Sequence, residues 1–207
     1  MKFSARDAEI LKLIQTWRRD VRHFKTDAVP EDLLERLRAA MDTAPSVGNA
    51  RPWRVIRVED PRLRGEIRVS FETSNDKAAT GYETERRAAY RSLKLAGLDA
   101  APVQLAIFTA VDPEAGHSLG RRTMPCTLHQ SVAMAIHALW LAARAENLGV
   151  GMVSILDPAH METILTVGPE WEFAAYLCIG WPEFIDDTPL LHRTGWQENA
   201  RTEWEVR

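Results

Sequence analysis

Apolar side chains at helical spacing predict helices in the first half of the chain. The first covers Ala8 to Trp17, and a second begins with Pro30 as its first residue and acids in its first turn. Residues 61–101 are charged and helical, with interruptions near Asn75 and Gly81. This region forms either a solvated helical hairpin or a lid over a pocket, because lids are sparsely packed.

A helix that is apolar on nearly every face lies in the second half, which is typical of the centre of a folded domain. Residues 123–143 contain no Asp, Glu, Lys or Arg, but a proline and two histidines argue against a membrane span. The pattern predicts that this helix ends near Asn147, with Gly149 as its cap. A short helix restarts after Asp157.

Four apolar runs between these helices predict strands, at residues 53–58, 103–110, 150–156 and 173–181. The third run is broken only by Ser154, a lone hydroxyl in an apolar strand. The order of elements describes an α+β or an α/β domain, and periodicity does not separate the two. No repeat or linker divides the 207 residues, so we expect a single domain.

Composition narrows the classes of function. A net charge of −3 gives no basic field for nucleic acid or a membrane surface. Two cysteines without paired spacing predict no disulfide framework, and the N-terminal residues show no signal peptide, so we expect a cytoplasmic protein. The six histidines lack the spacing that zinc or iron needs, so we expect no metal.

The densest group of functional side chains lies where the first helix ends. It consists of Arg18, Arg19, Asp20, Val21 and Arg22. Arginine presents a planar fork of permanently charged donors, so converging arginines suit a phosphate. Asp20 either pairs with the arginines and fixes their rotamers or faces a bound ligand, and the cluster alone leaves both open.

A second candidate is the loop of residues 44–53 before the first strand. Ser46 and Asn49 both donate and accept hydrogen bonds, and Gly48 lets a main-chain N–H approach a planar ligand without an intervening Cβ. An ordinary helix-to-strand loop is the alternative interpretation.

The chain lacks a nucleophile elbow, a phosphate-binding glycine loop and a dinucleotide fingerprint, which argues against the usual hydrolases, kinases and Rossmann enzymes. A phosphate cluster, a glycine-bearing loop and a strand hydroxyl suit a flavin mononucleotide (FMN) site. Any other phosphorylated ligand fits the same features.

Four separated motifs resemble the nitroreductase superfamily, in the right order over about residues 17–181. The motifs are residues 18–22, residues 44–46 with 52–53, residues 90–95, and residues 140–146 with 153–155. Within the superfamily, the likeness is closest to the flavin-destroying branch.

This resemblance implies an α+β, nitroreductase-like domain over residues 1–207, with an antiparallel sheet packed among helices and a helical lid at about residues 72–100. It also implies an intertwined homodimer that binds FMN at the subunit interface. In that branch reduced FMN is the substrate. Molecular oxygen adds to the flavin, which fragments to dimethylbenzimidazole, the lower ligand of cobalamin, and erythrose 4-phosphate.

The resemblance also assigns residues by position. The implied catalytic residues are Asp20, which would act near the flavin, Ser154, whose hydroxyl fragmentation would need, and Gly48, whose N–H would lie where oxygen adds. The implied cofactor-binding residues are Arg18, Arg19, Asp20, Arg22, Ser46, Gly48, Asn49 and Ser154.

Two alternatives remain open. Asn49 is the residue expected of ordinary nitroreductases, and four further positions depart from the flavin-destroying pattern: Arg51, Leu128, Gln130 and Met152. Asn49 and the altered start of the central helix, at Leu128 and Gln130, favour a reductase that keeps FMN as a permanent cofactor and passes hydride from NAD(P)H to a nitroaromatic or quinone. The other alternative is a flavin carrier without activity.

Overall fold

A four-stranded antiparallel sheet lies at the centre of the computed structural model, which describes residues 1–93 and 96–207. Its strands, in the order β1-β2-β4-β3, are β1 (Trp53–Arg57), β2 (Val103–Ala110), β3 (Gly149–Val153) and β4 (Trp171–Gly180). All four predicted strands are present, and the α+β fold with an antiparallel sheet is confirmed. Because β3 is an edge strand, one side of its backbone is left without a strand partner.

Helices surround the sheet. They are α1 (Ala5–Trp17), α2 (Glu31–Asp42), α3 (Pro61–Thr80), α4 (Thr84–Ser92), α5 (Thr127–Ala145), α6 (Pro158–Ile164) and α7 (Leu190–Arg193). Pro30 precedes α2 instead of opening it, which corrects the predicted start by one residue. Within the described residues, no helix is long and apolar enough to cross a membrane.

Both faces of the sheet are covered by apolar side chains. Adjacent residues of β4 alternate between two buried clusters, as the two-residue period of a strand requires. Leu177 and Ile179 pack with α2 and α5, whereas Tyr176 and Cys178 pack with α3 and α6. One face of α5 is therefore buried in the core, as its apolar sequence predicts, but the other face is not: Ala133, Met134 and His137 are exposed in the single chain.

The end of α5 differs from the prediction. Asn147, with a φ of 61°, takes the left-handed conformation after the helix, and the Leu148 N–H closes the motif by donating to the Ala143 carbonyl at 2.8 Å. The prediction of Gly149 as the cap is wrong, since Gly149 is already the first residue of β3. The strand ends at Val153, so Ser154 follows it as an exposed residue.

The predicted lid contains α4, which is sparsely packed. Tyr90 is its one buried residue, and the C-terminal segment holds the helix from outside. The Trp196 ring lies 5.5 Å from that of Tyr82, and the Arg86 guanidinium lies 4.5 Å from the Trp196 ring. The last two residues of the 90–95 motif, Lys94 and Leu95, lie outside the described residues. The movement of this lid stays a prediction.

Polar groups buried beneath the sheet are hydrogen-bonded to each other. The Tyr176 hydroxyl donates to Gln104 Oε1 at 2.8 Å, and Gln104 Nε2 donates to the Leu98 carbonyl at 2.9 Å. Burial raises the pKa of the Tyr176 hydroxyl above its ordinary value, and it raises the pKa of the neighbouring Cys178 thiol to about 12. Both groups are therefore held in their neutral forms.

We expect the free energy of unfolding to fall as the pH rises from about 9 toward 12. Cys178 has an ordinary pKa of 9.0 and a folded pKa of about 12, so in this window the unfolded chain binds fewer protons than the folded chain, and unfolding is favoured. Tyr176 acts in the same direction at higher pH. Urea unfolding at a series of pH values measures the slope.

The Cys178→Ala variant should lose part of this slope. Cys126→Ala, which removes the exposed free cysteine, should keep it and serves as the control. Identical slopes in the two variants would contradict the assignment to Cys178.

Candidate functional site

The predicted arginine cluster, residues 18–22, is held between the edge of β3 and the helix α5. On the β3 side, the Val21 N–H donates to the Val150 carbonyl at 3.0 Å. On the α5 side, the Trp140 indole N–H donates to the Arg19 carbonyl at 3.2 Å, and the Arg18 guanidinium lies 5.2 Å from the Trp140 ring centre. The segment is thus fixed on both sides by its backbone.

The Asp20 carboxylate is held by two donors. Its Oδ2 accepts a hydrogen bond from Arg22 Nε at 2.8 Å, and its Oδ1 accepts one from the Met152 backbone N–H at 2.8 Å. The Asp20 side chain nevertheless remains 32% exposed. Of the two interpretations drawn from the sequence, pairing with an arginine is therefore confirmed, and the exposed part of the carboxylate can still face a ligand.

Arg19 points to the C-terminal segment. Its guanidinium donates to the Arg18 carbonyl at 2.8 Å and to the Asp187 carbonyl, while its Nε is buried without a partner in the described part of the chain. Burial, reinforced by the charge of Arg18, lowers the pKa of Arg19. Two of its donors are therefore occupied by backbone carbonyls.

The cluster borders a cleft whose opposite wall is formed by residues 184–193. Five arginines and two aspartates line this cleft of about 70 Å³: Arg18, Arg19, Arg22, Arg144, Arg193, Asp20 and Asp186. The excess of positive charge suits an anionic group. Groups of three or more His, Cys, Asp or Glu able to hold a metal ion do not occur among the described residues.

Two of the arginines that line the cleft were not among the site residues predicted from the sequence. Arg144 lies one helical turn after Trp140 on α5, and this spacing of four residues could have placed both on the same face. Arg193 lies in the C-terminal segment, which has little periodicity, and it pairs with Asp186 at 3.0 Å. No local signal in the sequence connects Arg193 to the cluster.

The second predicted candidate, the loop of residues 44–53, lies near the start of α5. The Val47 N–H donates to the Ser131 hydroxyl at 3.0 Å, and the Ser46 hydroxyl accepts from the Arg51 N–H at 3.0 Å. Asn49 is exposed and takes a φ of 55°.

Gly48 is required by packing between loops. It has a φ of 57°, and a Cβ at this position would lie 2.8 Å from the Gly116 carbonyl oxygen. The structure thus explains the glycine without a ligand. Its predicted contact with a flavin stays a prediction.

The structure joins some predicted site residues and separates others. Ser154 follows by two residues Met152, whose N–H donates to Asp20, and it is exposed just beyond the end of β3. Ser131 and Trp140, by contrast, are nine residues apart on α5, which is about 14 Å. The loop that carries Ser46, Gly48 and Asn49 is therefore distant from the arginine cluster within one chain.

Comparison with known proteins identifies the relatives of the chain. The model of the nitroreductase family matches residues 16–181. A protein from Rhodobacter capsulatus named 5,6-dimethylbenzimidazole synthase is 60% identical over 207 residues, which is the full length of both chains. The predicted resemblance to the superfamily and to its flavin-destroying branch is confirmed.

Solved structures agree with this relationship. Oxidised iodotyrosine deiodinase bound to FMN and 3-iodo-L-tyrosine superimposes with a TM-score of 0.72 at 26% identity, covering 95% of this chain and 97% of that one. A BluB-like flavoprotein from Clostridium difficile gives a TM-score of 0.64 over 95% of this chain and 94% of its own, and its 19% identity supports the shared fold alone.

We expect Trp140→Phe to loosen the arginine cluster, because it removes the indole donor to the Arg19 carbonyl and keeps an aromatic ring beneath Arg18. The expected loss of stability is about 0.5–1.5 kcal/mol. Hydrogen exchange at the Val21 amide, measured by NMR, should also become faster.

Trp181→Phe is the matched control, since the Trp181 indole donates to the Ala28 carbonyl at the same distance of 3.2 Å. It should lose similar stability without changing exchange at Val21. Unchanged Val21 exchange in Trp140→Phe would contradict the role given to Trp140.

Proposed function

Because the chain belongs to the nitroreductase family, we propose that it is a flavin-dependent enzyme that forms 5,6-dimethylbenzimidazole from reduced FMN and molecular oxygen. The observation that carries this proposal is the 60% identity, over the full length, to a protein named for that product. The geometry supports it, since a partly exposed carboxylate lines an arginine-rich cleft.

The residues of the cleft fit the phosphate of FMN. The five lining arginines offer charge-assisted donors, and the buried Arg19 Nε has no partner in the described part of the chain. We expect Arg18, Arg22 and Arg144 to hold the phosphate. The cleft has a volume of about 70 Å³, whereas ordinary ligand pockets have volumes of about 300–1,000 Å³. The flavin ring therefore needs surface outside this cleft.

Asp20 and Ser154 are the residues to which we assign the chemistry. Reduced FMN supplies both the electrons and the carbon atoms of the product when it is bound. The N–H of Met152 and the guanidinium of Arg22 fix the direction of the Asp20 carboxylate, whose exposed part transfers a proton to or from the ligand. The Ser154 hydroxyl, exposed beyond the end of β3, donates a hydrogen bond to the same ligand.

A reductase that retains FMN is the second candidate, and Asn49 favours it. This residue is exposed in the loop before β1, where its amide is accessible to a ligand. In this alternative NAD(P)H is the electron donor, and FMN is recovered intact after each turnover.

A homodimer is the proposed assembly. No residue of α1 is buried, and its apolar side chains Ile10, Leu11 and Leu13 are about half exposed. The two predicted halves of the flavin site also lie far apart along α5 of one chain. A partner related by two-fold symmetry would cover the apolar face of α1 and bring its own loop of residues 44–53 to the arginine cluster.

We expect the purified protein to convert reduced FMN and oxygen to dimethylbenzimidazole, detected by mass spectrometry. Asp20→Asn and Ser154→Gly should abolish the product and still bind FMN, because neither change removes an arginine of the cleft. Asp32→Asn, which alters an exposed carboxylate paired with Arg36 at 2.9 Å on α2, should behave as the unchanged protein.

Other outcomes identify other functions. Quantitative return of oxidised FMN, with acceptor-stimulated oxidation of NAD(P)H, would support the reductase. Binding of FMN without turnover by any electron source would support the carrier. Loss of FMN binding in both Asp20→Asn and Ser154→Gly would contradict the roles assigned to these residues.

The homodimer predicts a mass of twice the 23.4 kDa of one chain in light scattering. Leu13→Glu should shift the protein to the monomer and weaken FMN binding, since Leu13 is 55% exposed in the single chain and would be covered by a partner. Val69→Glu is the matched control, because Val69 on α3 is 57% exposed and lies away from α1. A monomer in the unchanged protein would contradict the assembly.

A further inference from the structure

We propose that Gly149 and Gly151 of β3 are positioning residues for the Asp20 carboxylate. Their missing side chains let residues 20–21 dock against the edge of β3, and this docking places the carboxylate on the Met152 N–H. The inference rests on the proposed function, since it takes Asp20 as the group that acts on the ligand.

Gly151 is in contact with the backbone of the docked segment. A Cβ at this position would lie 2.1 Å from the Val21 carbonyl oxygen and 3.3 Å from its carbonyl carbon. The same Cβ would lie 3.8 Å from Asp20 Oδ1. Because the close atoms belong to the backbone, no rotamer change relieves the overlap. Any side chain at Gly151 therefore displaces residues 20–21, and the Asp20 carboxylate moves with them.

Gly149 faces the side chain of the same residue. A Cβ there would lie 2.8 Å from Val21 Cγ2 and 3.0 Å from both Val21 Cβ and Val21 Cγ1. All of these atoms belong to a side chain, and Val21→Ala would remove both Cγ atoms, including the nearest, while leaving the Cβ at 3.0 Å. The two glycines thus touch the same residue in different ways, and the two contacts can be tested separately.

Proximity, not backbone conformation, accounts for these glycines. Neither has a φ in the left-handed region, where a side chain would be strained, whereas Gly48 and Gly116 do. Glycine weakens a strand, and in a strand it often marks the close approach of another backbone. Here the approaching backbone carries the carboxylate.

The docking also completes the edge of β3. The Val150 carbonyl accepts from the Val21 N–H at 3.0 Å, and the Met152 N–H donates to Asp20 Oδ1 at 2.8 Å. Separation of the two segments would break both hydrogen bonds together. A displaced carboxylate would then retain Arg22 as a partner and lose the Met152 N–H that fixes its direction.

The test uses four variants of the full chain: Gly151→Ala, Gly149→Ala, Val21→Ala with Gly149→Ala, and Gly65→Ala. The measurements are dimethylbenzimidazole formation, FMN affinity by fluorescence, and exchange of the Val21 and Met152 amides in the absence of FMN. Gly65 is the matched control, since a Cβ there would meet no atom within 4 Å beyond the neighbouring backbone of its own helix, α3.

We expect Gly151→Ala to lower the rate of product formation by about 100-fold, the loss that a displacement of about 1 Å produces in an active site. Exchange of both amides should become about tenfold faster, and FMN affinity should fall less than the rate does, because Arg144 lies outside the displaced segment. Gly149→Ala should show a smaller loss of the same kind, and added Val21→Ala should restore part of both product formation and amide protection, because it removes two of the three close contacts. Gly65→Ala should match the unchanged protein.

Three results would overturn the inference. The first is a normal rate with protected amides in Gly151→Ala. The second is a loss of product formation in Gly149→Ala that adding Val21→Ala does not reverse. If Gly151→Ala does not fold, the comparison of these two variants tests the inference. The third is unchanged amide exchange in all variants. If the unchanged protein makes no dimethylbenzimidazole, the proposed function fails, and amide exchange still tests the positioning.

Discussion

The hydrogen bond between the Met152 N–H and the Asp20 carboxylate is the interaction on which the proposed site depends. As an edge strand, β3 leaves backbone groups that need a partner. A segment from the start of the chain supplies that partner at Val150 and Met152. The same contact satisfies the sheet edge and fixes a carboxylate at the mouth of a basic cleft, so the stability of the fold and the geometry of the site are linked.

The helix α5 sets the distance between the arginine cluster and the loop of residues 44–53. Its buried face fills the core between α2 and the sheet, while Ser131 near its start and Trp140 near its end hold two different loops. Because an α-helix is stiff, the separation of these loops is fixed. In the homodimer that we propose, each flavin site would combine the arginine cluster of one copy with the loop of residues 44–53 of the other.

Local periodicity in the sequence predicts the helices and strands, but it does not predict the contacts between residues that are distant along the chain. The strand β2 matches its predicted range of residues 103–110 at both ends, because its run of apolar residues is bounded by clear breaks. The end of α5 lies close to its predicted position, but the cap residue is wrong, because Asn147 and not Gly149 takes the left-handed conformation. The contacts of Asp20 with Met152 and of Arg19 with Asp187 join residues more than 100 positions apart, and no local pattern encodes them.

The cleft is built from the two ends of the chain, with residues 18–22 on one wall and residues 184–193 on the other. Because a protein is synthesised from its N-terminus, the arginines at residues 18–22 emerge from the ribosome long before residues 184–193 are made. The cleft is therefore among the last features to be completed during biosynthesis.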